Sequence, residues 1–208
     1  MPPAAPAGLE LFFQVYIRFF FLLTPFFVTS TFLALTPGMD SPERRRLAAR
    51  VTMASVALAF GLLFFGNWLF MVMGVTVDAF RVGAGCLLFL SAVDLVRGSA
   101  AEAQAHPSFD IAIVPLAVPV TIGPATTGAL LIMGADAHAG GALAVSSTAL
   151  LTAVLTVGII LWMATTLERV LGRKGLAILS KITGLMLSAM SAQMVVTGAA
   201  ALWKGVVV

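Results

Sequence analysis

Two apolar stretches hold residues that could bind a solute without any ionisable group. The first, Ile113–Leu131, reads IVPLAVPVTIGPATTGALL and contains Pro115, Pro119, Gly123 and Pro124. The second, LLTPFFVTSTF, contains Pro25. Proline inside a helix removes a backbone hydrogen bond and clashes with the preceding turn, at a cost of about 3 kcal/mol. Lipid offers no water to repair such a break, so irregular backbone at that depth belongs inside protein or beside a water-filled cavity. The freed groups then become ligands. N–H groups at the start of a half-helix suit a carboxylate, and C=O groups at the end of one suit an ammonium. Hydroxyls gather at both places: Thr24, Thr29, Ser30 and Thr31 around Pro25, and Thr121, Thr126 and Thr127 around Pro124. The competing use of these hydroxyls is to bond back to their own helix or to hold two helices together.

Two further polar residues lie in apolar runs. Asp94 could carry a coupling proton, because a carboxylate at the bilayer centre costs about 2.5–3.5 kcal/mol on insertion scales. It also lies three residues before Arg97, where a helix-surface ion pair is the alternative. Gln193 could reach a solute or bond to a neighbouring helix. Enzyme chemistry has no foothold. No histidine falls in an apolar run, and His106 and His138 are too far apart in sequence to suggest a metal site. Cys86 is alone, and no G-x-S-G or phosphate loop occurs. The expectation is a protein that is not an enzyme and holds no cofactor and no metal.

The elements that must position these residues are membrane helices. The chain is 60% hydrophobic and 10% charged, with mean hydropathy +1.06. A soluble domain carries about 25% charged residues. Six windows are long and apolar enough to span a bilayer: Phe13–Leu35, Leu47–Met73, Phe80–Val96, Phe109–Gly134, Leu143–Leu167 and Leu176–Leu202. The N-terminus lacks the basic segment of a signal peptide, so the first window reads as a retained span. The short loops leave room for one transmembrane domain only. Nine basic residues (Arg44, Arg45, Arg46, Arg50, Arg97, Arg169, Arg173, Lys174, Lys181) fall on one side of this map. Arg18, Arg81 and Lys204 fall on the other. The positive-inside rule puts the nine in the cytoplasm and both termini outside. That rule also explains the high pI without a nucleic-acid partner.

The chain repeats itself weakly. Arg81–Gly98 lies over Lys181–Gly198 at an offset of 100, with identities at Leu87/Leu187, Ser91/Ser191, Ala92/Ala192, Val96/Val196 and Gly98/Gly198. Pro25 lies over Pro119 at an offset of 94. Each half, about 10–98 and about 109–203, would hold three spans. An odd number inverts the second half, and inverted repeats with paired broken helices are common among secondary transporters. The fold expected is therefore an all-α membrane protein of two inverted three-helix repeats, with spans one and four broken near the midplane.

The stretches FLALTPGMDSPERRRLAARV, FRVGAGCLLFLSAVDL, FDIAIVPLAVPVTIGP and RVLGRKGLAILSKITGLMLSAMSAQMVVTG resemble the MarC family of bacterial inner-membrane proteins. The resemblance covers nearly the whole chain, in order. It implies a six-span fold related to the LysE-type exporters, placed in the bacterial inner membrane. It also implies a carrier of small neutral amino acids such as glycine or alanine, with proton or ion coupling. A homo-oligomer is left open. The substrate-binding set would be Thr24, Pro25, Phe27, Thr29, Ser30, Pro115, Pro119, Thr121, Gly123, Pro124, Thr126 and Gln193, with Asp94 for coupling. The first break departs from the family's Asn-Pro-x-Gly-x-x-Pro. Thr24 replaces Asn, Phe27 replaces Gly and Ser30 replaces the second Pro, while Ala125 replaces the last Gly of GPG. Phe27 would fill space that glycine leaves open. The alternative is therefore a non-transporting membrane scaffold or regulatory protein with a degenerate site.

Overall fold

The break at Pro25 organises the first helical pair in a computed structural model, which describes residues 8–98, 121–140 and 142–207. Helix α1, Gly8–Leu22, ends two residues before the proline, and α2, Pro25–Leu35, begins on it. Proline suits the first helical position, where its missing N–H is not needed. It cannot donate to Phe21, so the Thr24 N–H takes over that carbonyl at 3.0 Å. To do so Thr24 adopts φ 45°, the one positive φ outside glycine among the described residues. A β-branched residue in that conformation is strained by about 1–3 kcal/mol. Residue Leu22 loses its ordinary helical donor as well.

The remaining described elements are also helices. They are α3 (Ser41–Met73), α4 (Val77–Arg97), α5 (Pro124–Gly140), α6 (Leu143–Trp162) and α7 (Ala164–Val207). Local signals set the ends of α4. Thr76 caps it by accepting from the Ala79 N–H at 3.2 Å, Asp78 lies in its first turn, Arg97 in its last, and Gly98 closes it in the left-handed region. The basic segment expected as a loop is instead the start of α3, so Arg44, Arg45 and Arg46 stand on its first turns. Helix α7 is interrupted at Gly172 (φ 66°, ψ 168°), which separates a short opening segment from the last long span. Five helical stretches are long and apolar enough to cross a bilayer: Gly8–Leu35, Ser41–Gly66, Val77–Arg97, Leu143–Trp162 and Ala164–Lys204. Pro115, Pro119 and the expected start of the fourth span lie outside the described residues. Large apolar side chains such as Met53, Phe65, Leu185 and Val196 stand exposed on these helices, as lipid-facing positions do.

Helices α4 and α7 form the most extensive helix pair. They run antiparallel. Gly85 faces Ser191 and Val195, Gly184 faces Ala92 and Val96, and Gly198 faces Asp78 and Val82. Helix α2 packs on α7 as α5 packs on α4, while α1 packs on α6 and α5 on α3. The main core joins Phe19, Leu23, Leu63, Leu88, Leu130 and Leu150 from five helices. Small residues let these helices approach without bulky side chains between them. The closest approach joins α3 and α5, where a Cβ on Gly134 would stand 2.0 Å from the Leu63 carbonyl oxygen.

Three stability outcomes follow from this geometry, all read as thermal unfolding in detergent. Gly134→Ala is expected to destabilise the protein by about 1–3 kcal/mol through overpacking. Gly61→Ala, with nothing within 4 Å of the added carbon, should be neutral or stabilising by up to about 1 kcal/mol. Thr24→Asn should stabilise the protein by about 1 kcal/mol, because asparagine tolerates the left-handed region far better than threonine. A lower unfolding temperature for Thr24→Asn would show that the threonine side chain contributes more than its backbone costs.

Candidate functional site

The freed carbonyl of Leu22 is taken up across the protein. Thr126, in the first turn of α5, donates its hydroxyl to Leu22 O at 3.1 Å, and both residues are buried. Thr126 comes within reach because Pro124 starts α5 there. Proline sits at the first helical position again, and Thr127 N–H bonds to the Gly123 carbonyl at 2.9 Å. The break in α1–α2 and the start of α5 therefore meet at Pro25 and Pro124, whereas the expected partner of Pro25, Pro119, lies outside the described residues. Within this junction Thr29 turns back to the Pro25 carbonyl of its own helix at 2.7 Å. Thr24, Pro25 and Thr121 are buried, and Ser30 is partly buried. Phe27 packs against both the main core and a second apolar cluster, so it occupies the room that glycine would leave. The hydroxyls of Thr31 and Ser55 are buried without a hydrogen-bond partner among the described residues.

A cavity of about 450 Å³ reaches this junction, with Leu22 and Ala129 in its lining. Its walls come from early residues of α1, α4 and α6 (Leu11, Arg81, Ser146) and late residues of α5 and α7 (Asp136, Thr197). Gln193 lines it, as a solute-reaching role requires. Arg81 bridges two helices here. It bonds to Asp78 on its own helix at 2.7 Å and makes a short ion pair with Asp136 of α5. Asp94 stands elsewhere. It is exposed near the end of α4, outside the cavity lining, and makes no ion pair with Arg97 among the described residues. Among the described residues no cluster of three potential metal ligands exists.

The opposite end is closed. Val28, Phe32, Leu47, Val51, Leu161 and Ala164 form an apolar cluster there. Arg44 locks it from the side. Its guanidinium donates to the Thr36 carbonyl at 2.7 Å, the Thr36 hydroxyl at 3.2 Å and the Thr165 hydroxyl at 3.0 Å. One side chain thus ties the end of α2 to the start of α3 and the start of α7. Beside it, Arg45 lies over the Trp162 ring at 4.4 Å.

Sequence reasoning missed Arg18, Arg81, Asp136 and Arg44 as site residues. Arg18 was assigned to a loop side, yet it falls inside α1 and lines the cavity. Its signal was present in the spacing. Leu11, Val15, Arg18 and Leu22 repeat at steps of four, three and four, the period of one helix face.

Comparison with known proteins supports the same reading of the whole chain. The family model for "MarC family integral membrane protein" matches residues 9–203. The UPF0056 membrane protein MJ1677 of Methanocaldococcus jannaschii is 32% identical, over 91% of this chain and 96% of its own length. A UPF0056 membrane protein of Aquifex aeolicus is 33% identical, over 90% and 92%. The UPF0056 membrane protein YhcE of Escherichia coli is 24% identical, over 94% of each. No solved structure matches. The family match takes in both proline junctions, the cavity walls and the Arg44 lock, so the chain that builds them belongs to the MarC family of integral membrane proteins.

Proposed function

We propose that this protein is a secondary transporter of small solutes in the cytoplasmic membrane, working by alternating access across six spans. The observation that carries the reading is the asymmetry of the cavity. It reaches a helix break at its inner end, while an apolar cluster and Arg44 close the far side. That is the arrangement expected of a carrier caught open on one side. The inverted-repeat reading draws support from the helix starts. Pro25 and Pro124 each begin a helix and are 99 residues apart, close to the offset of 100 that relates α4 to α7. Antiparallel packing of α4 on α7, and the like packing of α2 on α7 and of α5 on α4, fit a two-fold relation between halves. The positive-inside pattern favours both termini outside, with the cavity facing outward and Arg44 on the cytoplasmic side.

Small neutral amino acids are the solutes favoured by the family resemblance. A zwitterion would need donors and acceptors near the breaks. In this conformation Thr126 occupies the Leu22 carbonyl, so solute binding there requires that bond to exchange. A non-transporting scaffold is the second reading, favoured by Phe27 filling the room beside the first break.

Uptake by protein-loaded vesicles separates the two. A panel of radiolabelled small neutral amino acids should give saturable uptake above empty vesicles, and none across the panel would favour the scaffold. The Arg44 lock gives an independent outcome. With Cys86→Ala as background, a cysteine at Phe32 should react slowly with a membrane-impermeant thiol reagent applied from the cytoplasmic side. Arg44→Ala should raise that rate several-fold, since it removes three hydrogen bonds to a charged donor worth about 1.5–3 kcal/mol each. An unchanged rate would mean that the apolar cluster alone holds this end closed.

A further inference from the structure

Arg18 is an exposed cation in the cavity lining, partway along a span, with no ion-pair partner among the described residues. It lies ten residues into α1, about 15 Å along the helix from Gly8. An arginine at such depth pairs, faces water or serves a pathway, and is a functional candidate by default. The nearby carboxylates are already engaged. Asp136 and Asp78 both bond to Arg81. Arg18 is exposed, and it lies in line with Leu11, Val15 and Leu22 on the flank of α1 that lines the cavity. A lipid-facing arginine would have to reach for the headgroups. This one has an aqueous cavity beside it instead.

We infer that Arg18 is the anchor of an anion site in this cavity, and that the ligand is a small carboxylate with an apolar body. The planar guanidinium presents paired donors that match the two oxygens of a carboxylate. The walls beside it are apolar: Val15, Phe19, Ile132 and Met190. The same lining carries Arg81 and Asp136, and Asp78 pairs with Arg81 behind it, a group of formal charge −1, which disfavours a dianion such as phosphate. The volume of about 450 Å³ exceeds what glycine needs, so a longer carbon chain fits. This deepens the transporter reading and rests on it for physiological meaning. It assigns recognition of charge to Arg18 rather than to the helix breaks.

The test uses the purified full chain in detergent and three probes: butyrate, 2-aminobutyrate and butylamine. Calorimetry should detect the two carboxylates and not the amine. Arg18→Gln should weaken carboxylate binding by roughly ten- to a hundredfold, and Arg18→Lys should retain part of it. Both variants should elute as the parent does, since Arg18 has no partner to lose. Absence of carboxylate binding to the parent would overturn the inference, and so would equal affinity in Arg18→Gln. The same proteins in vesicles keep the two readings apart. Binding through Arg18 without flux would sink only the transporter reading. Flux unaffected by Arg18→Gln would sink only the anchor.

Discussion

Every backbone N–H and C=O of a membrane-embedded chain needs a partner from the protein itself, because lipid supplies none. In this protein that requirement bears hardest on three residues, Leu22 to Thr24. Pro25 withdraws one donor, Thr24 twists into a strained conformation to replace it, and Thr126 arrives from α5 to satisfy Leu22. For Thr126 to be there, α5 must begin at Pro124 and pack against both α1 and α3. For α5 to pack so closely on α3, Gly66 and Gly134 must lack side chains. The close glycine contacts and the broken helix are thus two parts of one solution. The cavity reaches that solution without opening it.

The same chain of dependence explains why hydroxyls crowd the breaks. Thr29 and Thr36 bond back to carbonyls of α2 at 2.7 and 2.8 Å, which holds a short, proline-started helix together. Thr126 instead crosses to another helix. In this conformation the Leu22 carbonyl is occupied by Thr126.

Much of the fold could be read from residue order. Five of the six long apolar windows coincide with helices able to cross a bilayer, and Pro25 and Pro124 mark the break in α1–α2 and the start of α5. The basic run was harder. It marks the side of the membrane by composition, but whether it is loop or helix depends on α3 extending beyond the apolar window. The candidate site was legible only where its signal is local. Thr126 and Gln193 stand beside proline or within a repeated span. Arg81 and Asp136 are 55 residues apart, and Arg44 and Thr165 are 121 apart. Neither pairing has a sequence signature, because each depends on how helices cross. Asp94 drew attention as a charge in a span, yet its place on the helix turns it outward. Arg18 had a stronger pattern, and only the shape of the cavity gives that pattern a meaning.

The two ends of the protein are held by different kinds of bond. At the cavity, Arg81 meets two carboxylates, one of them half exposed. At the closed end, Arg44 meets a carbonyl and two hydroxyls, all uncharged. Dissolved ions weaken the first kind where it is exposed to solvent, and leave the second nearly untouched. Rising salt therefore loosens one end and spares the other, so the firmness of the Arg81 end depends on the ionic strength of the solution that it faces.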